Sequence, residues 1–259
     1  MPDGQGLALE LLDRFRLVRD EVEVDVPPQS ATVLAFLAIQ NRPVHRSFVA
    51  GTLWGDLSEP RALADLRTSL YRVRAPAIRS IGTMLELRPE VRVDLHDAMD
   101  LARHVVRTPA PPGRIEPVVD VLARELLPDS DADWIEPTRE RYRHLRLRAL
   151  ETVARRLSGA GRHAEAIEVA QVAVAIEPLS ETAQTALICA FVAEGNGALA
   201  LRQHETFRRR LWRELRVRPV PFERLCVVAG NGADREGDAD PAVLVTAWRR
   251  SRDGSATRR

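Results

Sequence analysis

Hydrophobic and polar residues alternate along residues 7–26, where Val and Leu are frequent. A period of two residues is typical of β-strands that bury one face. The segment DRFRLVRDEVEVDV predicts a strand, a tight Arg-Asp-Glu turn and a second strand. Pro27 and Pro28 end this region, so we expect a small sheet at the start of the chain.

The pattern then changes to a helical period in three consecutive segments, which are separated by Pro- and Gly-containing breaks. Three helices are expected: residues 31–40 with Ser30 as the N-cap, residues 46–54, and a third from Pro60 to about Arg74. The following segment, TMLELRPEVRVDL, has two short alternating runs around Arg88-Pro89-Glu90 and predicts a β-hairpin. A small sheet, three helices and a hairpin in this order predict a winged helix.

The third helix combines an apolar stripe with many arginines. Leu63, Leu66, Leu70 and Val73 fall within about 80° of one another at 100° per residue, and this stripe is expected to pack on the core. A helix seated in a major groove needs an exposed opposite face, with long donors for phosphates and guanine edges. The candidate DNA-binding residues are Arg61, Ala64, Arg67, Thr68, Tyr71, Arg72 and Arg74 in the helix, Arg79 in the connection after it, and Arg88 and Arg92 in the hairpin.

The alternative for this helix is an ordinary amphipathic helix with a solvated face. Asp65 lies on the same face, and the first hundred residues contain 12 arginines against 15 acidic residues. The chain contains no lysine, so all 38 of its basic residues are arginine, and its net charge is only +1. The number of arginines is therefore a weak indication of nucleic-acid binding, and their placement must decide.

The second half of the chain has a helical pattern with a repeat. GRHAEA and GNGALA start 34 residues apart, at Gly161 and Gly195, with Ala166 and Ala200 at equivalent positions. A period of 34 residues is that of tetratricopeptide repeats, in which Gly forms the turn and small residues let the paired helices approach. The breaks at residues 159–161, at Pro178 and at 195–197 are expected to separate the helices.

Several classes of site and protein are not indicated. The histidines and the two cysteines show no metal-ligand spacing, and no phosphate-binding glycine loop or catalytic constellation is present. We therefore expect no enzymatic activity, no cofactor and no metal. No apolar run approaches the ~18 residues of a membrane span, and the first residues do not resemble a secretion signal. These patterns predict a cytoplasmic protein with no membrane partner.

Three segments, RPVHRSFVAGTLWGD, ALADLRTSLYRVR and LELRPEVRVDL, resemble the winged-helix DNA-binding domain of SARP-type transcriptional activators, a domain of the response-regulator output type. The segments DWIEPTRERYRHLRLRALE, AGRHAEAIEVAQVAVAIEPLSETAQTALICAFVAEGN and ALALRQHETFRRRLWREL resemble the bacterial transcriptional activator domain that follows it. The resemblance covers about residues 7–228. It implies that the helix at 61–74 is the recognition helix, braced by residues 46–54, and that Trp54 is a packing residue.

The resemblance also implies an architecture and partners. The expected fold is mainly α with small β elements: a winged helix in residues 1–100 and an all-α tetratricopeptide-like activator domain in residues 101–229. Residues 230–259 are rich in Gly, Asp and Arg, and this composition predicts a disordered tail. The expected partners are double-stranded DNA, RNA polymerase holoenzyme and a second copy of the chain on promoter direct repeats, which implies association with the nucleoid. The family's Gly, Glu and Ser near the end of the second domain are replaced here by Arg216, Arg218 and Val220.

Two functions remain open at this point. The favoured one is a sequence-specific DNA-binding transcriptional activator. The alternative is an interaction scaffold whose repeat domain binds a partner protein and whose first domain no longer binds DNA. The arginine-rich segments RERYRHLRLRALE and FRRRLWREL are expected to be solvated helix faces, with a second nucleic-acid contact as the alternative. Trp212 is expected in the core.

Overall fold

The computed structural model describes residues 6–73, 75–109 and 113–225. Its strands are β1 (Leu7–Glu10), β2 (Arg16–Arg19), β3 (Val22–Val24), β4 (Val44–His45), β5 (Ile78–Ile81), β6 (Met84–Leu87) and β7 (Arg92–Val93). Its helices are α1 (Pro28–Gln40), α2 (Arg46–Leu53), α3 (Glu59–Arg72), α4 (Asp94–Arg107), α5 (Glu116–Leu122), α6 (Glu136–Gly159), α7 (His163–Ile176), α8 (Glu181–Ala193) and α9 (Gly197–Leu215). The predicted fold class, a winged helix followed by an all-α repeat region, is confirmed. The predicted tail at 230–259 lies outside the described residues.

The chain divides into two compact units that are not continuous in sequence. The N-terminal unit contains residues up to Asp100 together with Arg124–Arg143, and the helical unit contains Leu101–Ala123 together with the residues from His144. The sequence-based limits at 1–100 and 101–229 remain a prediction about which segments form domains. The structure adds that residues 124–143 pack with the N-terminal unit.

A four-stranded sheet with the strand order β3-β2-β1-β7 opens the N-terminal unit. The predicted hairpin between β2 and β3 is confirmed: Arg19 pairs with Val22, and the two turn residues, Asp20 and Glu21, both have positive φ. Positive φ at both turn residues is typical of two-residue hairpin loops, because the twist of such a turn matches that of the two strands. Strand β7 joins the sheet from far along the sequence, parallel to β1.

Asp94, at the start of α4, fixes the end of β1. Its two carboxylate oxygens accept hydrogen bonds from the backbone N–H groups of Leu11 and Leu12 at 2.8 and 3.0 Å. Burial raises the pKa of the Asp94 carboxyl, although these two N–H groups and that of Leu95 oppose the increase. The Asp94 side chain thereby connects the N-terminal sheet to the first turn of α4 by hydrogen bonds.

Helices α1, α2 and α3 pack around an apolar core that includes Phe36, Leu37, Val49, Leu66 and Leu85. Helix α1 begins at Pro28, one turn earlier in the chain than its predicted cap. The prediction for Ser30 is wrong: it lies inside the helix, fully buried, and its hydroxyl donates a hydrogen bond of 2.8 Å to the carbonyl of Ser69. The serine thus joins α1 to α3 instead of capping a helix.

The wing is a three-stranded sheet with the order β4-β6-β5. Its hairpin consists of β5 and β6, in which Ile81 pairs with Met84 across a turn that contains Gly82 at φ +58°. The predicted hairpin around Arg88-Pro89-Glu90 is therefore wrong. The segment after β6 does turn there, with a bond from the N–H of Val91 to the carbonyl of Arg88, but it leads into the other sheet.

Residues 124–143 complete the N-terminal unit. The indole of Trp134 packs edge-on against the ring of Phe36, with the two ring centroids 5.2 Å apart. The N–H of Asp13 donates a bond of 2.6 Å to the carbonyl of Glu125, and that of Leu127 donates to the carbonyl of Leu11 at 3.0 Å. The loop before α6 therefore extends both the backbone hydrogen bonds and the core of this unit.

The helical unit contains the predicted repeat. The turns between α6 and α7 and between α8 and α9 have the same hydrogen bonds 34 residues apart, from the N–H of Arg162 to the carbonyl of Leu157 and from that of Asn196 to the carbonyl of Phe191. Gly161 and Gly195 have φ of +76° and +85° in these turns, a conformation that favours glycine. Ala166 and Ala200 are both fully buried in the apolar core of this unit.

Three arginines of α6 donate hydrogen bonds to backbone carbonyls. Arg139 donates hydrogen bonds to the carbonyls of residues 126, 127 and 130, and Arg146 donates to the carbonyl of Ala123 at 3.0 Å. Arg156 donates to the carbonyls of Val105 and Val106. Arg146 is buried, so the prediction that this segment is a solvated face is wrong for part of the helix.

Helix α9 presents a different face from the one expected. Its buried residues are Ala200, His204, Phe207 and Leu211, which follow the i, i+4, i+7 spacing of one helix face. Trp212 lies about 100° further round the helix than Leu211. It is 46% exposed, so the prediction that it belongs to the core is wrong.

Candidate nucleic-acid interface

Helix α3 packs through a narrow line of small and apolar side chains. Ala62, Leu66 and Ser69 are buried, and Leu63 and Leu70 pack half-buried against the same core. The predicted stripe is confirmed for its three leucines, whereas Val73 is the half-buried residue that caps the end of the helix. Because small residues form much of the contact, the helix lies close to its neighbours and its other face is left open.

The open face carries the predicted side chains. Tyr71 is 89% exposed, which is unusual for a residue that can bury a large ring. The Thr68 hydroxyl donates to the carbonyl of Ala64 at 3.0 Å, so it stays near the helix surface. The six exposed residues of this face are Arg61, Ala64, Arg67, Thr68, Tyr71 and Arg72. We call these six residues the α3 face. Arg74 lies outside the described residues.

The guanidinium groups of the α3 face have no protein partner. Within the described part of the chain, the side chains of Arg61, Arg67 and Arg72 form no hydrogen bond or ion pair. Several other arginine side chains of the same unit are paired, for example Arg16 with Glu10 at 2.6 Å. A cluster of charged donors without partners can bind an external anion without first breaking an internal ion pair.

Helix α2 braces α3 and is itself joined to the wing. The His45 Nδ1 caps the start of α2 by accepting a bond from the N–H of Ser47 at 3.2 Å. Arg46 donates its backbone N–H to the carbonyl of Thr83 at 2.9 Å and its guanidinium to the hydroxyl of Ser80 at 2.8 Å. Sequence reasoning did not single out Arg46, because its role depends on a contact 34 residues away. Trp54 packs half-buried on the core, as the resemblance implies.

The other three predicted contacts lie in different places. Arg79 is in strand β5, not in a connection, and its guanidinium is 2.5 Å from the carboxylate of Glu86 on β6. Arg92 is in β7 of the N-terminal sheet, where it forms an ion pair of 2.6 Å with Asp97. Arg88 follows the wing, and its side chain is exposed. These positions correct the prediction that Arg88 and Arg92 flank the turn of the wing.

Nothing in the described ranges suggests a metal site or a membrane segment. No group of three or more His, Cys, Asp or Glu side chains is arranged to hold a metal ion among these residues. None of the helices described is long and apolar enough to cross a bilayer. The α3 face is therefore the feature of the N-terminal unit that requires a functional explanation.

Comparison of the chain with known proteins identifies the regulators that it resembles. Residues 123–226 match the bacterial transcriptional activator domain. The regulatory protein AfsR of Streptomyces coelicolor is 30% identical to this chain over 208 residues, which are 75% of the chain and 21% of AfsR. AfsR of Streptomyces griseus is 28% identical over 206 residues. These matches support the resemblance of the chain to SARP-type transcriptional regulators.

A solved structure has the same fold along nearly the whole length of the chain. Mycobacterium tuberculosis EmbR, solved in complex with a low-affinity phosphopeptide, superposes with a TM-score of 0.68 over 98% of the chain and 72% of EmbR. At 19% identity the likeness concerns the fold alone. The chain spans about a fifth of the length of the AfsR proteins that it matches.

The chain departs from the pattern of the SARP-type family where α9 ends. Arg216 caps this helix with φ of 59°, at the position where the resemblance implies glycine. A left-handed conformation is easy for glycine and costs an L-residue about 1 kcal/mol or more. Val220, in place of serine, accepts a hydrogen bond of 2.9 Å at its carbonyl from the ring of His204, an interaction that needs only the backbone.

Proposed function

We propose that the N-terminal unit binds duplex DNA sequence-specifically, with helix α3 in the major groove. The observation that carries this proposal is the α3 face, where an exposed tyrosine shares one side of a helix with three arginines that have no partner among the described residues. Arginine donors suit both phosphates and guanine edges, and Thr68 and Ala64 leave room for close approach of bases. The regulatory relatives are consistent with this role.

The proposed contacts differ in kind. Arg72 and Thr68 face base edges, since both lie opposite the leucine stripe, whereas Arg61 and Arg67 contact phosphates on either side of the groove. Arg88 contributes a further backbone contact. Arg79 and Arg92 contribute less, because their ion pairs with Glu86 and Asp97 already satisfy part of each guanidinium. Arg74 is proposed as a contact on the family resemblance alone.

A selection experiment tests DNA binding directly. The full chain is incubated with a random duplex pool, the bound duplexes are sequenced, and the affinity for the enriched site is compared with that for scrambled DNA. The triple variant Arg61→Ala/Arg67→Ala/Arg72→Ala should lose both affinity and preference for the enriched site. The control Arg16→Ala/Arg114→Ala/Arg208→Ala removes the same charge at three ion-paired positions. Equal losses in the two variants would contradict an interface on α3.

The second part of the proposal is that the chain activates transcription as side-by-side protomers on direct repeats, contacting RNA polymerase. The match to the bacterial transcriptional activator domain supports it. Protomers in contact must lie on the same side of the duplex, so their spacing must follow the helical turn of about 10.5 bp. Inserting about 5 bp between repeats should abolish cooperative binding and transcription with purified polymerase, and about 10 bp should restore both. Activation that is independent of spacing would contradict paired protomers.

A further inference from the structure

The C-terminal end of α9 and the segment after it expose several large apolar side chains that are close in sequence. Five of the nine large apolar side chains that are most exposed in the described chain lie within residues 199–220. Four of these five, Trp212, Leu215, Val217 and Val220, lie within the last nine positions of this range. A concentration of exposed apolar groups is typical of interaction surfaces, whereas single exposed residues are not.

The same surface carries an excess of positive charge. Arg208 and Arg210 are neutralised by ion pairs with Glu205 and Glu214. In contrast, Arg213, Arg216 and Arg218 have no carboxylate partner within the described residues. We call the four apolar residues and these three arginines the α9 patch.

Two of the three arginines of the α9 patch lie close to its tryptophan. The guanidinium carbons of Arg216 and Arg218 lie 5.9 and 5.8 Å from the centroid of the Trp212 ring. Both distances are within the range of cation–π attraction, so the indole and the two charges form one surface feature. A complementary ligand needs carboxylates to meet the charges and aliphatic side chains to cover the apolar residues.

We propose that the α9 patch is the docking site of the chain's own residues 234–245, DREGDADPAVLV. This segment has four carboxylates, at Asp234, Glu236, Asp238 and Asp240, against one arginine, and it continues into the aliphatic run PAVLV. The order of charge followed by aliphatic residues matches the two components of the patch. The proposal does not depend on DNA binding by the N-terminal unit.

The path of the chain makes this contact sterically accessible. Phe222 and Leu225 are buried in the core of the helical unit, and His204 of α9 bonds to the carbonyl of Val220, so residues 220–225 are fixed close to α9. Nine further residues lead from Leu225 to Asp234. When extended, they reach up to about 30 Å, which is longer than the patch itself. An intramolecular ligand at this distance also has a high effective concentration.

Photo-crosslinking in the full-length chain tests the proposal. Trp212→p-benzoylphenylalanine places a photoreactive group in the α9 patch, and its exposed position makes the change compatible with folding. After irradiation, mass spectrometry identifies the crosslinked peptide. Mixing copies with and without a heavy-isotope label separates crosslinks within one chain from those between chains. The expected product is an intrachain crosslink to residues 234–245.

Charge variants determine whether the carboxylates direct the contact. Asp234→Asn/Glu236→Gln/Asp238→Asn/Asp240→Asn should lower the crosslink yield by about tenfold, and added salt should lower the yield of the unmodified segment. The control Asp129→Asn/Asp131→Asn/Asp133→Asn neutralises exposed acids elsewhere and should leave the yield unchanged. A crosslink to another segment, to a second copy, or to no peptide overturns the proposal, as does an equal fall in both variants.

Discussion

Helices α3 and α6 are both rich in arginine, yet they use this residue in opposite ways. On α3, the guanidiniums of Arg61, Arg67 and Arg72 point to solvent and have no protein partner within the described ranges. On α6, Arg139 and Arg156 donate to backbone carbonyls of neighbouring segments. The difference depends on what lies beside each helix: α6 runs past chain segments whose carbonyls need donors, and the open side of α3 faces none.

The two helices show that an arginine can stabilise the fold or remain available to bind a ligand. A guanidinium that satisfies several carbonyls holds a loop in place, and its removal leaves those carbonyls without partners. An exposed guanidinium without partners adds little to stability and can be changed at small cost to the fold. The two helices therefore predict opposite results when single arginines are removed.

The largest effect is expected for Arg139→Ala. The change removes donors to the carbonyls of Leu126, Leu127 and Ser130 and should lower the free energy of unfolding by about 3 kcal/mol. Urea unfolding monitored by circular dichroism measures this, and DNA affinity of the folded protein should be unaffected. Arg139→Lys keeps the charge but lacks the forked donors, so it should recover only a small part of the loss. If Arg139→Ala were as stable as the wild type, the arginines of α6 and α3 would not differ in their contribution to stability.

Arg72→Ala should have the reverse signature. Loss of a bidentate contact with guanine should cost about 1–3 kcal/mol in specific binding, while stability changes by less than about 0.5 kcal/mol. Fluorescence anisotropy on the selected site and on scrambled DNA measures the specific part. An equal loss on both duplexes would make Arg72 a phosphate contact, and no loss on either would remove it from the interface.

The sequence was sufficient to predict the helices whose signals are local. The stripe of α3, the turn of β2–β3 and the glycine turns at Gly161 and Gly195 depend on residues close in the chain, and all of them are in the structure. Arg61, Ala64, Arg67, Thr68, Tyr71 and Arg72 share an exposed face because the helical period alone determines it.

What the sequence did not reveal depends on partners far along the chain. Strand β6 can pair with a strand on either side of it, and local alternation does not distinguish β5 from β7. The roles of Arg46 and Arg139 likewise require knowing which carbonyls or hydroxyls lie nearby. Trp212 was misassigned because its position differs from that of buried Leu211 by a single residue, which turns it away from the core.

A smaller effect separates Arg88 from Arg92. We propose that exposed Arg88 contacts a phosphate. The variant Arg88→Ala should therefore lower the slope of log affinity against log salt by about 0.9, equally for all DNA sequences. Arg92→Ala should change it less, because this guanidinium is paired with Asp97. Titrations from about 50 to about 200 mM salt measure both slopes. A larger change for Arg92 would show that the ion pair does not exclude a DNA contact.

The smallest effect concerns an arginine of a third kind, Arg216, which caps α9 in a left-handed conformation. Arg216→Gly should relieve the backbone strain but also remove the guanidinium above Trp212 and increase the freedom of the unfolded chain. The net gain should be about 0.5 kcal/mol. Thermal unfolding compares the variant with Arg213→Gly, in which glycine enters the last turn of α9 and should destabilise the protein by about 0.5 kcal/mol.

The return of residues 124–143 to the N-terminal unit affects how this protein can exchange parts with its relatives. A recombination event that transfers only the segment up to residue 100 brings in Phe36 without its own Trp134, and Leu11 without the N–H of Leu127. The incoming N-terminal unit must then fit the host's copy of that loop. Exchange of N-terminal units between related chains is therefore easiest when the junction falls after α6 has begun, so that both segments are inherited together.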